Sequence, residues 1–174
     1  MDIITRRDWF STCLAMSAWP ELSSGQPPRF ETLDSATAAE IEAITAQIIP
    51  STGGHGAREA GVIYFIDRAL STFAADDRET YRTGMAELQK RRKAMFHDST
   101  TIASLSDQRQ MLLIRAIEKS DFFELLRTHT VMGFLGNPSY GGNRDKVGWK
   151  QIGFEDQMTY QHPFGYYDIP GNEK

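Results

Sequence analysis

The sequence has 174 residues, 40% of them hydrophobic and 24% charged, which is typical of one globular domain with an apolar core. Its formal net charge of -4 argues against a phosphate-tracking protein, which needs a basic face, so we expect no nucleic-acid partner. The single cysteine, Cys13, excludes an intrachain disulfide, a cysteine-based zinc site and a c-type haem attachment.

Residues 1–28 have the pattern of an export segment. Arg6 and Arg7 precede a short apolar run at 10–19, and a polar linker follows, so the segment resembles a twin-arginine signal. The apolar run is shorter than the roughly 20 residues that a membrane-spanning helix needs. We interpret 1–28 as a twin-arginine signal-like segment with a linker. The alternative is an ordinary N-terminal helix packed on the domain.

The folded domain is expected over residues 29–154 and begins with a helix predicted at 37–49. Thr37 and Glu40 have the spacing of a capping box, in which each side chain bonds the other residue's backbone N–H. Isoleucines at three- and four-residue spacing follow until Pro50, which stops the helix.

A second helix, predicted at 58–73, follows a glycine turn whose spacing does not match a dinucleotide fingerprint. Its apolar face is wide, which is typical of a helix at the centre of a bundle. The residues predicted to be core are Val62, Ile63, Phe65, Ile66, Ala69, Leu70 and Phe73.

Three more helices are predicted, at 76–96, 106–119 and 121–135. The first of them opens with another capping-box pattern at Asp76 and Glu79, and the last opens with one at 121–124. The basic run near the end of the 76–96 helix fits a solvated last turn, and the alternative is a surface for an acidic partner. Because no alternating apolar pattern with hairpin signals is present, we predict an all-α fold, a single compact bundle of about five helices.

A glycine-rich segment at 133–153 follows the last predicted helix and holds six of the 14 glycines. The glycines predict tight consecutive turns. Aromatic residues and arginine on such a loop are typical of protein interface hot spots. The alternative is a loop whose aromatic residues cover the core. The candidate partner interface comprises Asn137, Tyr140, Gly141, Gly142, Asn143, Arg144 and Trp149.

The last segment, 155–174, is predicted to be an irregular tail because it lacks aliphatic periodicity. Aromatic residues occur from Phe154 onwards, at Tyr160, Phe164, Tyr166 and Tyr167. Such side chains either fold back over the bundle or dock on another protein, and the pattern leaves both open.

Motifs for catalysis are absent from the sequence. It has no G-x-S-x-G elbow, no P-loop lysine and no H-E-x-x-H, and its four histidines are widely separated. We therefore assign no catalytic, cofactor-binding or metal-binding residue. The alternative is a secreted carbohydrate-active enzyme that uses Asp145, Glu155 or Asp156 as acid and base.

Several segments together carry a resemblance to a known family. They are the I-I-P end of the first helix at 48–50, the G-A-R-E-A-G turn at 56–61, and the loop G-N-P-S-Y-G-G-N-R-D at 136–145 with G-W-K and I-G-F after it. With the twin-arginine start, this combination resembles the gluconate 2-dehydrogenase subunit 3 family over about 30–154.

The resemblance implies a non-catalytic small subunit that carries the export signal for a large flavoprotein of the glucose-methanol-choline type and assists its maturation. FAD is then expected on that partner, and haem c on a multihaem cytochrome as a third subunit, with no cofactor on this chain. The implied location is the periplasm, reached through the twin-arginine translocase, either free or held at the membrane through the complex. A free-standing enzyme and a small helical binding domain are the alternatives.

Overall fold

A computed structural model describes residues 29–51 and 53–165. Arg6, Arg7 and the rest of the predicted signal lie outside the described residues, as does the end of the tail. The described part contains six α-helices and no strand, which confirms the all-α prediction with one helix more than expected. The helices are α1 Ser35–Ile48, α2 Val62–Ser71, α3 Arg78–Met95, α4 Asp107–Arg115, α5 Asp121–Leu135 and α6 Val147–Gln151.

The core lies where α2 packs between α1 and α5. Side chains that are fully or almost fully buried there and on the flanking helices include Ile41, Ile44, Ile66, Leu70, Leu88, Leu113 and Leu126. The prediction that α2 is central is thus correct, but its last core residue is wrong. Phe73 is 65% exposed, because α2 ends at Ser71 and the chain turns away before Phe73 can follow the buried face.

The first helix is capped by a residue that the sequence pattern did not indicate. Asp34 accepts hydrogen bonds from the backbone N–H groups of Ala36 and Thr37, each at 2.9 Å, a cap that contributes about 1 kcal/mol. Glu40, the predicted partner in the capping box, is buried and accepts from the backbone N–H of Ile102 at 2.7 Å. The capping-box prediction is therefore wrong, since Glu40 holds the α3–α4 connection instead.

Two further boundaries differ for backbone reasons. The second helix begins at Val62 and not at 58, because Gly61 adopts a left-handed conformation with φ of 65°. Before α3, a 3₁₀ turn at Ala75–Asp77 replaces the predicted capping box, and its Glu79 forms an ion pair with Arg82 at 2.5 Å.

The last long helix, α5, is capped by Ser120, whose Oγ accepts from the backbone N–H of Phe123 at 3.2 Å. Its Phe122 ring packs against Gly84 of α3 so closely that a Cβ at Gly84 would lie 2.1 Å from the ring. None of the described helices is long and apolar enough to cross a membrane. α5 ends at Leu135, two residues inside the glycine-rich segment.

Candidate functional site

The segment 133–153, called the glycine loop below, contains regular secondary structure. Two 3₁₀ turns, Pro138–Tyr140 and Arg144–Lys146, are followed by the short helix α6. The tight turns match the sequence prediction, whereas α6 was not predicted. The loop packs on α2 and on the C-terminal end of α5, so its position is set by the core.

Asn143 holds the glycine loop together from the inside. The residue is fully buried and left-handed, with φ of 45°. Its backbone N–H donates to the carbonyl of Gly133 at 2.8 Å, and its Nδ2 donates to the carbonyl of Gly136 at 2.9 Å. Its Oδ1 accepts from the backbone N–H of Gly148 at 2.8 Å. One amide side chain thus joins the end of α5, whose last carbonyls have no partner within the helix, to the start of α6.

Two glycines allow the backbone segments of the loop to approach closely. A Cβ at Gly142 would lie 2.2 Å from the carbonyl oxygen of Gly133, and a Cβ at Gly148 would lie 1.9 Å from that of Phe134. Gly141 is required for another reason, because its φ of 102° is one that other residues rarely adopt. The predicted interface residues Gly141, Gly142 and Asn143 therefore shape the loop.

The exposed members of the predicted interface are Asn137, Tyr140 and Arg144. The side chain of Asn137 caps the first turn by accepting from the backbone N–H of Ser139 at 3.0 Å. Tyr140 is 58% exposed. This solvent-facing part of the predicted interface is compact, since all three residues belong to the two 3₁₀ turns or precede them.

Arg144 is fixed by the fold although its side chain is exposed. Its backbone N–H donates to the carbonyl of Ala60 at 2.9 Å. Its guanidinium carbon lies 4.8 Å from the centre of the Tyr64 ring, a cation–π contact above the start of α2. A Cβ at Gly61 would lie 3.2 Å from the Nη2 atom of Arg144, so this glycine leaves room for the guanidinium.

The backbone next to Arg144 is strained. Asp145 and Lys146 have φ of 55° and 57°, which residues with a side chain seldom adopt. Lys146 also forms an ion pair with Asp156 at 2.8 Å. Conformations of this kind cost roughly 1 to 3 kcal/mol each and persist where the surrounding structure imposes them, often at functional sites.

Trp149 lies inside the loop structure. Its Nε1–H donates to the carbonyl of Leu135 at 2.6 Å, and its ring packs edge-on against Phe154 with centroids 5.1 Å apart. Phe154 in turn contacts Tyr160 at 6.3 Å. The indole thus ties α6 and the first part of the tail to the end of α5, while the described tail residues remain exposed.

The carboxylates of the alternative enzyme hypothesis, Asp145, Glu155 and Asp156, are all exposed. A groove of about 600 Å³ lies between α3 and the start of α5 and is not lined by the glycine loop. Among the described residues, no cluster of three or more His, Cys, Asp or Glu side chains is arranged to hold a metal ion.

Two polar features were missed by the sequence interpretation. Asp67 is 3% exposed and accepts three backbone N–H bonds from 31–33. The available signal was an aspartate within a helix whose other buried residues are all apolar. His129 lies at the helical spacing of Phe122 and Leu126, which places it on the buried face of α5.

His129 is 4% exposed and shares a hydrogen bond of 2.9 Å between its Nδ1 and the Tyr81 hydroxyl. Its Nε2 lies 3.8 Å from a carboxylate oxygen of Asp77. Burial lowers the pKa of His129, and the attraction of Asp77 opposes this shift. Burial, with a smaller contribution from Asp77, raises the pKa of Tyr81. The pair is a polar contact between α3 and α5 inside the core.

A protein-family model matches a range of the chain that includes the whole glycine loop. The family model described as gluconate 2-dehydrogenase subunit 3 matches residues 35–156, from the start of α1 to the partner of Lys146. Comparisons with curated proteins and with solved structures found no significant match. The matched range covers more than half of the sequence, and the chain belongs to the gluconate 2-dehydrogenase subunit 3 family.

Proposed function

We propose that this chain is the non-catalytic small subunit of a periplasmic FAD-dependent sugar or sugar-acid dehydrogenase. In this role it escorts the flavoprotein subunit through twin-arginine export and aids its maturation. The family, whose name is that of a dehydrogenase subunit, supports the small-subunit role. The observation that carries the proposal is the glycine loop, which uses buried residues to hold an exposed tyrosine and arginine in fixed positions.

The glycine loop has the properties of a docking surface that is formed before binding. Asn143 and the glycines at 141, 142 and 148 fix its backbone, so little conformational freedom is lost when a partner binds. Tyr140 and Arg144 then supply contact area and hydrogen-bond donors, which are typical of hot spots. A fixed loop that presents exposed residues of hot-spot type favours recognition over a role as a cover for the core alone.

The chemistry of the loop indicates which groups on the flavoprotein it binds. Within the described residues, the Arg144 guanidinium contacts the Tyr64 ring and forms no ion pair, so its outer N–H groups can bind a carboxylate or carbonyl of a partner. We place FAD on the flavoprotein and haem c on a cytochrome subunit where one is present. This chain then contributes positioning and export, and the electrons pass between its partners.

Escort explains how a flavoprotein without its own signal reaches the periplasm. Twin-arginine export moves folded proteins, so the flavoprotein can take up FAD in the cytoplasm and then cross together with this chain. Arg6 and Arg7 supply the address for both subunits. Partner binding through the glycine loop must then precede export.

The test replaces Arg6 and Arg7 with lysine and locates both subunits after co-production. We expect this chain and the flavoprotein to remain together in the cytoplasm. The matched control replaces Arg115 and Arg127, two exposed arginines of α4 and α5, with lysine and should leave export unchanged. A flavoprotein that still reaches the periplasm with the Arg6 and Arg7 variant contradicts the escort role.

A further inference from the structure

The point where the N-terminal segment joins the domain lies beside the glycine loop. Residues 29–33, called the junction below, place the Phe30 ring parallel to the Tyr64 ring, with centroids 5.2 Å apart and an interplanar angle of 13°. The same Tyr64 ring is contacted by the Arg144 guanidinium at 4.8 Å. Tyr64 thus connects the junction to the loop that we propose as the docking surface.

The junction is held in place by a buried carboxylate. The Asp67 oxygens accept from the backbone N–H groups of Glu31 at 2.7 Å, Thr32 at 2.9 Å and Leu33 at 2.8 Å. Asp67 is 3% exposed, so these bonds are shielded from water. Moving the junction away would leave a buried carboxylate without its hydrogen-bond donors, which costs free energy. The position of the junction is therefore well defined.

The next residue of α2 holds the loop. Arg68 donates from Nη1 to the carbonyl of Ser139, in the first 3₁₀ turn, at 2.7 Å. Adjacent side chains of one rigid helix therefore fix the junction and the loop relative to each other. The three elements form one continuous surface, which no sequence pattern indicates.

We propose that the flavoprotein docks on the junction as well as on the glycine loop, and so fixes the place where the N-terminal segment leaves the domain. The inference rests on the proposed function and adds Phe30, Tyr64 and Asp67 to the partner site. Phe30 and Tyr64 are contact residues, and Asp67 is a positioning residue that acts through the junction backbone.

The charge of this surface defines the partner patch. Arg29, Arg68 and Arg144 are exposed on it, although the whole chain has a net charge of -4. Glu31 is the acidic residue of the junction, and its carboxylate accepts from the Ser71 hydroxyl at 2.7 Å. Arginines around aromatic rings fit an apolar patch of the flavoprotein rimmed by carboxylates or carbonyls.

The test replaces Phe30 with alanine in the full chain and measures its affinity for the flavoprotein together with its melting temperature. We expect roughly tenfold weaker binding, as for a residue within a hot-spot cluster. Phe73→Ala is a control of the same residue type, because Phe73 is exposed after the other end of α2 and its variant should bind as the wild type does. Phe30 is half-buried against the core, so the melting temperature shows how much of any loss in binding comes from lost folding.

The outcomes separate this inference from the proposed function. Weaker binding by Arg144→Ala with unchanged binding by Phe30→Ala leaves the loop as the docking site and overturns the extension to the junction. Unchanged binding by both variants overturns both ideas.

Amide hydrogen exchange of the wild-type chain, free and in the complex, gives a second readout that does not depend on how a variant folds. Exchange at 31–33 should slow in the complex together with exchange at 140–146. Protection confined to the loop contradicts the inference.

Discussion

The apolar core and the glycine loop are stabilised in different ways. In the core, side chains such as Ile44, Ile66 and Leu126 are fully buried, and their contribution grows with the apolar area that they remove from water. In the loop, the backbone segments approach so closely that Gly142 and Gly148 leave no room for a side chain. The buried side-chain amide of Asn143 holds these segments together by hydrogen bonds.

The core is what the fold requires, whereas the glycine loop has the features that recognition of a partner requires. Many apolar residues of similar volume can satisfy a core, so its sequence is constrained by size and polarity. Positions where an added Cβ would lie under 3 Å from a backbone oxygen require glycine. The two side-chain hydrogen bonds of Asn143, one donated and one accepted, require an amide. The loop therefore fixes residue identities to form a surface of one shape, as expected of a recognition site.

The largest effect is expected from Gly148→Ala. Its new Cβ would lie 1.9 Å from the Phe134 carbonyl oxygen, a backbone atom that cannot rotate away. We expect the free energy of unfolding to fall by about 3 kcal/mol or more, measured by urea denaturation.

Two further variants serve as references for the stability loss of Gly148→Ala. Gly165→Ala places its Cβ where, apart from its chain neighbours, no atom of the described residues lies within 4 Å, and it should be almost neutral. Ile66→Val removes one methylene group from the core and should cost about 1 kcal/mol. A Gly148→Ala cost no greater than that of Ile66→Val would remove the distinction between the two regions.

A smaller loss is expected from Asn143→Ala. The change leaves the Gly136 carbonyl and the Gly148 N–H without their side-chain partner, and we expect a cost of about 2 kcal/mol. Asn137→Ala removes an exposed cap of the same residue type and should cost about 0.5 kcal/mol. Equal losses for the two variants would show that Asn143 does not hold the loop.

The smallest effect concerns pH and lies in the core. Burial lowers the pKa of His129 below its ordinary 6.5, so below neutral pH the unfolded chain binds more protons than the folded chain. Stability should therefore fall as the pH drops through 6.5, by at most about 0.7 kcal/mol between pH 7 and pH 6, the limit for a histidine that stays neutral in the fold. Urea unfolding at both pH values measures the effect. His129→Gln should abolish this difference and the exposed His97→Gln should keep it, whereas a wild-type stability that does not change with pH would contradict the assignment.

The helices could be predicted because apolar periodicity reports directly which face is buried. Their boundaries could not, since Asp34 and not Thr37 caps α1, and Glu40 turns inward to bond Ile102. Those choices depend on tertiary contacts between residues far apart in the sequence, which local patterns do not contain.

In the glycine loop, too, the contacts between residues far apart in the sequence could not be predicted. Its glycines predicted tight turns, and its Tyr140 and Arg144 are exposed as a docking surface requires. Asn143 gave no sign of its role, because the three groups that it bonds belong to residues 133, 136 and 148 and converge in the folded chain alone. Trp149 belongs to the predicted interface, and the sequence did not indicate that its indole N–H donates to the Leu135 carbonyl within the fold.

The most direct test of the account measures how Tyr140→Ala and Arg144→Ala change binding of the flavoprotein, alongside the melting temperature of the isolated chain. Tyr140 is 58% exposed and Arg144 gives up one cation–π contact, so both variants should melt within a few degrees of the wild type. We expect each variant to raise the dissociation constant roughly thirtyfold. Wild-type affinity in both variants, with the fold intact, would contradict the claim that the glycine loop is the docking surface.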